Sequence, residues 1–359
     1  MKKLVLVAMS GGVDSSVALS KVLDMGYDAI GITMKLWDNR DPKTNAIKPS
    51  LCNSVDAISG AKLICDRFGV KHYTINFMDL FKKHVIDDFT NQYINGKTPN
   101  PCVKCNSIIK WEALLKFGDE IGTDYIATGH YARIGKYNNE DIIQKGIDSI
   151  KDQSYMLWDI DKKQLKRTLF PIGNMTKEDV RKYATKNNLE TAKRDESQDL
   201  CFVLGNDYNE FLHEIIPDKM ANIKNGPIKD EEGKIVGEHQ GFTKYTIGQR
   251  RGIGLSFPEP RYVQKINPVN NTITVSKKES LYSKTCVCYN MNFFTNNLKF
   301  PMTLDAKIRY NSKSSIATID KKDNQFKVEF EDPQLAITPG QSIVFYKKDF
   351  LIGGAIIGS

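Results

Sequence analysis

The sequence predicts an α/β protein in which a doubly wound parallel sheet is followed by a small mixed central domain and a C-terminal antiparallel β-barrel. In the first part of the chain, apolar runs of strand length alternate with helical segments, which is typical of a parallel sheet covered by helices on both faces. From about residue 272 onward, β-branched and aromatic runs separated by turns predominate, as in small barrels or sandwiches. We therefore expect domains at 1–205, 206–271 and 272–359.

Each predicted element rests on the spacing of its apolar residues and on the turn or capping residues that flank it. In the first domain we expect strands at 4–8, 28–36, 71–77 and 125–128 and helices at 15–26, 54–69, 80–94 and 108–121. In the other two domains we expect a helix at 208–216 and strands at 226–228, 234–236, 272–275, 302–308, 315–319, 325–330 and 342–346. The polar segment 38–51 is expected to be a mobile loop near the ligand site.

The composition favours a cytoplasmic protein and is compatible with a polyanionic partner. The chain has 359 residues, with 51 Lys and Arg against 43 Asp and Glu and a net charge of +8. It contains no apolar run close to the roughly 20 residues that cross a bilayer. Its N-terminus leads directly into a predicted strand, so we expect neither a membrane span nor a signal peptide. Seven cysteines in a reducing compartment indicate thiol or metal chemistry rather than a disulfide framework.

A glycine-rich loop follows the first predicted strand, at Ala8-Met9-Ser10-Gly11-Gly12-Val13-Asp14-Ser15. Adjacent glycines allow unusual φ angles, expected here to include a positive φ at Gly12, and let backbone N–H groups approach a ligand closely. The helix that begins after the loop adds unpaired N–H groups and the positive end of its dipole. The sequence lacks the lysine of the Walker loop and the spaced glycines of the dinucleotide fingerprint, so it predicts a phosphate site of another class.

The segment from Ser10 to Ser15 resembles the pyrophosphate loop of N-type ATP pyrophosphatases. The resemblance implies an adenine nucleotide alpha hydrolase-like fold and cleavage of ATP to AMP and pyrophosphate, with Mg²⁺ sharing the phosphate charge. Asp14 is the candidate that orients the metal ion or a water molecule near the phosphates. The alternative for Asp14 is a first-turn carboxylate that stabilises the helix N-terminus.

Three cysteines form a second candidate site. Cys102 and Cys105 stand three residues apart, directly after a Pro-Asn-Pro stretch that stiffens the backbone. Cys201 lies near the end of the predicted first domain. A Cys-x-x-Cys pair alone serves zinc sites, redox pairs and iron–sulfur clusters alike, so the spacing leaves the chemistry open.

Taken with the glycine loop, these cysteines resemble the tRNA-specific 2-thiouridylase family, and the resemblance runs through nearly the whole chain. The segments that carry it are 98–101, 127–131, 151–155, 196–202, 237–241, 246–252 and 338–341. It implies that the wobble uridine of a tRNA is flipped into a pocket, adenylated by ATP at its 2-oxygen and thiolated at C2. It also implies that Cys105 is the nucleophile, that Cys201 carries a persulfide, and that Met34 and Gly129 contact the adenine nucleotide.

The chain departs from the commonest family pattern at Cys102, where an aspartate that handles the target base usually stands. With Cys102, Cys105 and Cys201 as three soft ligands, one alternative is a 4Fe–4S cluster that leaves one iron open to sulfide. The second alternative is a persulfide and disulfide route through Cys105 and Cys201. The third is a structural zinc ion.

The resemblance also implies a tRNA interface, to which the central domain at 206–271 contributes, and a sulfur source. The expected partners are tRNAs of the Glu, Gln and Lys type, and either a sulfur donor protein or inorganic sulfide. His130 would lie beside the flipped base, unless it is a structural histidine, and Arg250 and Arg251 are candidates for a phosphate clamp. The residues expected to contact tRNA are Asn100, Pro101, Cys102, His130, Lys151, Asp152, Gln153, Arg309, Tyr310 and Gln341.

The alternative function is that of a tRNA-binding sulfur carrier, with a cluster or a persulfide, that lacks adenylation activity. The intact Ser-Gly-Gly-Val-Asp-Ser loop disfavours this reading, because a protein that no longer bound ATP would not need those glycines. Among the remaining cysteines, we expect Cys65 to pack in a core. Cys286 and Cys288 should face the same side of a strand and have no metal role.

Overall fold

The computed structural model describes residues 2–38, 55–192, 194, 200–203, 205, 207–296, 298–323 and 325–358, so the loop predicted at 38–51, apart from Asp38, lies outside the described residues. The strands are β1 (Leu4–Ala8), β2 (Asp28–Lys35), β3 (Lys71–Asn76), β4 (Tyr125–Ala127), β5 (Ala132–Tyr137), β6 (Glu140–Lys145), β7 (Thr168–Leu169), β8 (Gly226–Lys229), β9 (Ile235–His239), β10 (Tyr262–Asn267), β11 (Thr272–Ser276), β12 (Tyr282–Phe293), β13 (Met302–Lys307), β14 (Ser315–Lys322), β15 (Gln325–Leu335), β16 (Ser342–Lys347) and β17 (Phe350–Ile357).

The helices include two π-helical segments that interrupt longer helices. The α-helices are α1 (Val13–Asp24), α2 (Val55–Arg67), α3 (Met78–Phe81), α4 (Asp87–Ile94), α5 (Pro101–Lys104), α6 (Leu114–Ile121), α7 (Lys177–Lys186), α8 (Tyr208–Ile215) and α9 (Pro217–Ala221). The π-helical segments Lys82–Ile86 and Cys105–Ala113 join α3 to α4 and α5 to α6. Short 3-10 helices lie at Ser154–Leu157, Lys162–Arg167, Phe242–Lys244 and Glu279–Leu281.

Five strands form the predicted parallel sheet, in the order β3-β2-β1-β4-β7. Alternate residues of β1 belong to different cores, because both faces of the sheet are covered by helices. Val5 and Val7 pack with residues of α1, α2 and α7, whereas Leu6 packs with residues of the helix that runs from α5 to α6. Strand β1 lies between β2 and β4 and is parallel to both. The carboxyl ends of the three strands therefore meet at one edge of the sheet, where the glycine loop begins.

The central region forms a four-stranded sheet in the order β10-β11-β8-β9. The strand expected at 272–275 in the C-terminal barrel lies here instead, as β11, antiparallel to β10 and parallel to β8. Its apolar side chains explain the pairing, since Ile273 and Val275 are buried with Ile228 and Val263 in the core of this region. We propose that the second domain boundary falls after Ser276.

The C-terminal strands confirm the predicted barrel. They follow the order β12-β15-β14-β13-β16-β17, and β12 pairs with β17, which closes six antiparallel strands into a barrel. A hairpin of β5 and β6, which the sequence did not predict, extends from the first domain and pairs with β17. Within the described ranges, no helix combines the length and the apolar character needed to cross a bilayer.

One apolar core is continuous from the parallel sheet to the barrel, and two buried aromatic residues join its parts. Tyr155 OH donates a hydrogen bond to the carbonyl oxygen of Ser342 over 2.7 Å, and Trp158 Nε1 donates to the hydroxyl of Ser342 over 2.9 Å. Both aromatic side chains are fully buried and have no access to water. These two bonds therefore satisfy the hydrogen-bonding groups of the buried Tyr155 and Trp158 side chains. The shared core fixes the barrel relative to the sheet edge that carries the glycine loop.

Candidate active site

The glycine loop leaves β1 and enters α1, which begins at Val13 with Gly12 as its N-cap. Gly11 has a φ of +75°, and a Cβ there would lie 2.3 Å from the carbonyl oxygen of Ala57, so only glycine fits. Gly12 has a φ of −88°, and the atom nearest to a Cβ on it is Ser10 Oγ, at 3.4 Å. The expected positive φ at Gly12 is therefore wrong, and the left-handed residue of the loop is Gly11.

Serine hydroxyls fix the shape of the loop. Ser15 Oγ accepts a hydrogen bond from Ser10 N–H over 3.2 Å and donates to the Gly12 carbonyl over 3.1 Å. Ser16 Oγ donates to the same carbonyl over 2.9 Å. The first N–H groups of an α-helix have no acceptor within the helix, so the loop offers donors and a positive dipole end to an anion such as pyrophosphate.

Two side chains that the sequence analysis did not single out hold Asp14. Lys177 Nζ lies 2.8 Å from both carboxylate oxygens of Asp14, and Tyr131 OH donates to Oδ1 over 2.7 Å. The Lys177 side chain is only 11% exposed. The two residues of the ion pair are 163 positions apart, and no local pattern marks Lys177, so only the fold reveals the contact. The pair holds the carboxylate in the first turn of α1, beside the N–H groups of the loop.

Gly129 and Met34 lie on either side of β1, at the same sheet edge as the loop. Gly129 follows β4, and a Cβ on it would lie 2.8 Å from the carbonyl carbon of Asp14 and 2.9 Å from Ser15 N. Only glycine therefore lets the end of β4 approach the start of α1 so closely. Met34 is the last residue but one of β2 and packs, half-buried, against two apolar clusters. Contact of either residue with a nucleotide stays a prediction.

Arg194 links the segment before Cys201 to the loop, and the sequence analysis missed it. Its guanidinium donates to the carbonyl oxygens of Gly11, over 2.8 Å, and Asp56, over 3.3 Å. A Cβ on Gly60 would lie 2.5 Å from Nη1 of the same guanidinium. A single arginine within a charged stretch carries no pattern that would have indicated this contact.

His130 is enclosed by aromatic side chains next to Gly129. Its Nδ1 lies 2.8 Å from Thr128 Oγ1, and its ring centre is 5.6 Å from that of Trp111 and 6.4 Å from that of Phe170. Burial, and to a smaller extent the charge of Lys110, hold the pKa of His130 well below its usual range. The imidazole is therefore neutral at physiological pH, and its place beside a flipped base stays a prediction.

Cys102 and Cys105 lie at the start of the long helix that runs from α5 to α6. Pro101 stands at the N-terminus of this helix, Cys102 follows in the first turn, and Cys105 begins the π-helical segment Cys105–Ala113. Such π-helical insertions are frequent at functional sites. Cys105 is 8% exposed and belongs to an apolar cluster with Phe89 and Phe202.

Cys201 packs against the same apolar cluster as Cys105, whereas the half-buried Cys102 is outside it. Among the described residues, which include all three cysteines, no group of three or more His, Cys, Asp or Glu side chains is arranged to hold a metal ion. The three thiols are therefore not arranged as a metal-ligand set among the described residues, and their ligation of a 4Fe–4S cluster or of zinc stays a prediction. Cys65 is buried in the core as predicted, and burial raises the pKa of its thiol to about 12.

Gln341, which is expected to contact tRNA, fastens the barrel to the segment that precedes the cysteines. Its Nε2 donates to the carbonyl oxygens of Thr98, over 2.9 Å, and Pro99, over 3.3 Å. Thr98 N–H in turn donates to the carbonyl of Pro339 over 2.9 Å. Further along the segment, Asn100 Nδ2 lies 3.5 Å from the sulfur of Met156. The barrel thus positions the residues that lead into the cysteine helix.

Asp152 and Gln153, also expected to contact tRNA, organise the loop that precedes the Ser154–Leu157 helix. The Asp152 carboxylate accepts hydrogen bonds from the N–H of Ser154, over 3.1 Å, and from its hydroxyl, over 2.9 Å. Gln153 Oε1 accepts from Tyr131 N–H over 3.0 Å, and the backbone N–H of Gln153 donates to the Tyr131 carbonyl over 2.9 Å. Since Tyr131 also bonds Asp14, this loop is tied directly to the glycine loop. The backbone N–H of the neighbouring Lys151 donates to Asp148 over 3.1 Å.

Arg309 and Tyr310 lie half-buried at the junction of the barrel and the first domain. Arg309 donates to the carbonyl oxygen of Ala336 and lies 3.3 Å from Thr338 Oγ1, and burial lowers the pKa of its guanidinium. The ring centre of Tyr310 is 6.0 Å from that of Tyr155. Both residues are thus partly committed to the packing of the junction, and their tRNA contacts stay predictions.

Two half-buried lysines at this junction have no ion-pair partner among the described residues. Lys307 Nζ lies 5.9 Å from the ring centres of both Tyr155 and Tyr310, and Lys145 Nζ lies 4.5 Å from that of Tyr346. Burial lowers the pKa of Lys307, the Asp152 carboxylate opposes this shift, and the charge of Lys145 adds to it. Neighbouring cations without a direct ion pair attract an anion such as a nucleic-acid phosphate.

Comparison with known proteins identifies relatives along the whole chain. Three family models match in succession, described as the tRNA methyl transferase HUP domain at 3–205, the tRNA methyl transferase PRC-barrel domain at 209–277 and the Aminomethyltransferase beta-barrel domain at 283–357. The protein named tRNA-specific 2-thiouridylase MnmA of Pelotomaculum thermopropionicum is 44% identical over 363 residues, which cover 100% of this chain and 98% of that protein. The protein of the same name in Clostridium acetobutylicum is 43% identical over 359 residues, which cover 99% of this chain and 100% of that protein.

A solved structure, of a predicted subunit of tRNA methyltransferase from Methanocaldococcus jannaschii, is similar to 51% of this chain and 76% of that chain, with 17% identity and a TM-score of 0.32. That likeness is too low to support a conclusion. The full-length relatives are different, because their identity exceeds 40% with almost complete coverage of both proteins. On this ground the chain belongs to the tRNA-specific 2-thiouridylase family.

Proposed function

We propose that the protein is an ATP-dependent tRNA-uridine 2-sulfurtransferase, which adenylates the wobble uridine of cytoplasmic tRNAs at its 2-oxygen and replaces that oxygen with sulfur. The observation that carries the proposal is the full-length similarity to proteins named tRNA-specific 2-thiouridylase. The geometry of the glycine loop supports it, since the loop is built to receive a pyrophosphate. The proposed substrates are tRNAs of the Glu, Gln and Lys type.

Adenylation solves a chemical difficulty, because the 2-oxygen of uridine is a poor leaving group. The 2-oxygen attacks the α-phosphorus of ATP, and pyrophosphate leaves into the loop from Ser10 to Ser15, where the N–H groups at the start of α1 stabilise its charge. Asp14 is a suitable ligand for Mg²⁺, because proteins usually bind this ion through one or two carboxylates next to the phosphates of a substrate. When bound there, the ion neutralises phosphate charge. AMP then becomes the leaving group at C2.

Sulfur transfer by Cys105 and Cys201 fits the arrangement of the thiols better than a cluster, since these two share one apolar cluster and Cys102 lies outside it. The terminal sulfur of a persulfide on Cys201 attacks C2, and AMP leaves. The Cys105 thiolate then attacks Cys201 Sγ, which releases the thiocarbonyl of 2-thiouridine and leaves a disulfide between the two cysteines.

Either of two sulfur sources can complete this cycle. A dithiol reductant opens the disulfide, after which a sulfur donor protein reloads Cys201 with a persulfide. Alternatively, hydrogensulfide attacks the disulfide at Cys201 Sγ, which forms the Cys201 persulfide and frees the Cys105 thiol in one step. Neither route uses Cys102.

Cations at the surface and at the domain junction support tRNA as the partner. Arg250 and Arg251 are exposed in a loop, and Gln249 shapes that loop by accepting from Thr246 N–H over 3.0 Å and donating to the Arg251 carbonyl over 2.9 Å. At the junction, Lys145 and Lys307 add the half-buried pair of charges described above. Such a distribution suits the phosphate backbone of a folded RNA.

The experiment is a reaction of the full-length protein with ATP, Mg²⁺, a sulfide source and unmodified tRNA. We expect 2-thiouridine at the wobble position, measured by mass spectrometry of the digested tRNA, together with one pyrophosphate released for each sulfur inserted. A sulfur carrier without adenylation activity would release no pyrophosphate. Thiolation at another position of the tRNA would contradict the proposal.

A further inference from the structure

A polar cleft of about 280 Å³ in the central region is unused by the proposed reaction. One wall is the face of α8 that carries Asn209 and His213, which are four residues apart and so lie one above the other. Another wall is the turn after β9, with Gln240, Thr243 and Lys244. The floor is apolar, formed in part by Met220 and Ile223.

Two residues that line this cleft each have a buried polar atom without a hydrogen-bond partner in the part of the chain that the structure describes. The atoms are Asn209 Oδ1 and the hydroxyl oxygen of Thr243, a residue that is only 2% exposed. A buried polar atom without a partner costs roughly 1–3 kcal/mol of stability, so folded proteins seldom keep two of them in one cavity without a bound molecule to satisfy them. Both atoms are shielded from solvent in this structure, so a ligand in the cleft satisfies them only when the two side chains turn towards it.

The walls of the cleft are fixed by a buried histidine in the motif Gly237-Glu238-His239-Gln240-Gly241. His239 Nδ1 accepts a hydrogen bond from Gly241 N–H, and its Nε2 donates to the carbonyl of Asn271, both over 3.1 Å. The Asn271 amide donates in turn to the carbonyl of Asn225, at the rim, over 2.9 Å. His239 is wholly buried, so its role is to hold the turn that carries Gln240 and Thr243. The cleft is therefore preformed.

The chemistry of the lining favours a heterocyclic base attached to a phosphate. Its side-chain amides, from Asn209, Asn225 and Gln240, offer both donors and acceptors, as base edges require. Lys244 supplies a positive charge at the exposed rim, and none of the described residues that line the cleft is acidic. An apolar floor under polar walls suits a flat ring whose edge carries the hydrogen-bonding groups.

We propose that this cleft binds one unpaired nucleotide of the tRNA loop that carries the target uridine, with Asn209 and Thr243 bonded to its base and Lys244 near its phosphate. The position fits, because Met220 and Ile223 in the floor belong to the same apolar cluster as Cys105 and Cys201. The inference rests on the proposed function and deepens it. It assigns to the central region the recognition of a nucleotide that is not itself modified.

The test compares the full-length protein with its Thr243→Val and Asn209→Leu variants, which remove the unpartnered atoms at nearly constant volume. Thr123→Val is the matched control, because Thr123 also has a buried hydroxyl without a partner but does not line the cleft. For all three variants we expect an unchanged or raised melting temperature. We expect the two cleft variants, and not the control, to weaken tRNA binding roughly tenfold at fixed salt.

Two further readouts separate base contacts from phosphate contacts. In the wild-type complex, one loop nucleotide should be protected from base-specific chemical probes, and this protection should disappear in the Thr243→Val complex while the rest of the footprint stays. The salt dependence of binding should be unchanged in Thr243→Val and reduced by about one phosphate contact in Lys244→Ala.

Wild-type affinity and footprint in both cleft variants would overturn the inference and would mean that the cleft holds water alone. Thiolation by the wild-type protein is measured in the same tRNA preparation. A negative result for the two cleft variants therefore leaves the proposed function intact. A wild-type protein that neither binds nor thiolates tRNA would overturn both the proposed function and the inference about the cleft.

Discussion

The ammonium group of Lys177 lies 2.8 Å from both carboxylate oxygens of Asp14, so the first turn of α7 is tied to the first turn of α1. Asp14 also accepts a hydrogen bond from Tyr131, whose backbone is bonded to Gln153. The glycine loop is therefore connected through side chains both to α7 and to the loop that leads towards the barrel. A cation this close to Asp14 is placed to meet the charge of a bound triphosphate.

Replacing Lys177 with Met should reduce the rate of pyrophosphate release by at least roughly tenfold, because Asp14 loses the group that positions it and the site loses a charge. Lys182→Met is the control, since Lys182 lies on the same helix but pairs with Glu178 on an exposed surface. Pyrophosphate release and thermal unfolding should be measured for both variants. Equal release rates in the two would show that the contact between Lys177 and Asp14 is structural only.

The two loop glycines should respond differently to substitution. Gly11→Ala should lower the free energy of unfolding by about 1–3 kcal/mol, because the left-handed backbone is strained for alanine and the new Cβ would collide with the Ala57 carbonyl. Gly12→Val should leave the fold intact, since the backbone of Gly12 is extended, but should abolish adenylation if its Cβ excludes the pyrophosphate. Denaturant unfolding and pyrophosphate release distinguish the two effects. Wild-type turnover of Gly12→Val would mean that pyrophosphate does not approach this residue.

The sequence allowed the parallel sheet and the loop to be predicted, because buried strands and a strand–glycine–helix junction are local patterns. The sequence did not show which glycine has the positive φ, because Gly11 and Gly12 are adjacent and either residue can adopt a left-handed backbone. The contact of Lys177 with Asp14 depends on the packing of α7 against α1, which no local pattern encodes.

The errors in predicting two of the strands also have physical reasons. The last strand, β17, contains Gly353 and Gly354, which weaken a strand pattern. A Cβ on Gly353 would lie 2.3 Å from the Asn292 carbonyl, and one on Gly354 would lie 2.6 Å from the Trp158 ring, so both glycines permit close packing. The strand at Thr272–Ser276 was recognised, but its partners were not, because β-propensity does not specify which sheet a strand joins.

Stability should fall as the pH drops below about 6.5, the usual histidine pKa in an unfolded chain. Burial is the largest cause that lowers the pKa of His72, His130 and His239 in the folded protein. Below pH 6.5 the unfolded chain therefore binds more protons than the folded protein, so the stability present at higher pH is lost as the pH falls. The loss for one histidine is at most about 1.4 kcal/mol per pH unit, and it is smaller for the partly exposed His72, whose charge solvent screens. His72→Gln should reduce this slope in urea unfolding between pH 5 and 6.5. An unchanged slope would contradict the role of His72.

Arg250→Ala should lower the salt dependence of tRNA binding by somewhat less than one unit of log affinity per log salt, the contribution of about one phosphate contact. Gly248 and Gly252, both with positive φ, flank the loop and allow its tight turn, which leaves Arg250 exposed. Lys182→Ala is the control, because Glu178 already neutralises that charge. The affinity should be measured at several salt concentrations. Identical slopes in Arg250→Ala and wild type would show that Arg250 does not touch RNA.

The cysteine variants decide how sulfur is transferred. If Cys105 and Cys201 alone carry the chemistry, Cys102→Ala should retain most of its thiolation activity in iron-free protein, whereas Cys105→Ala and Cys201→Ala should each lose it. Oxidation should trap a disulfide between Cys105 and Cys201, detectable by mass spectrometry of the digested protein, provided that their Cα atoms come within about 7 Å. The opposite result would be close to four irons per chain in anaerobically reconstituted protein, with loss of both iron and activity in Cys102→Ala. That result would require Cys102 to join the other two thiols in an arrangement that the described residues do not adopt.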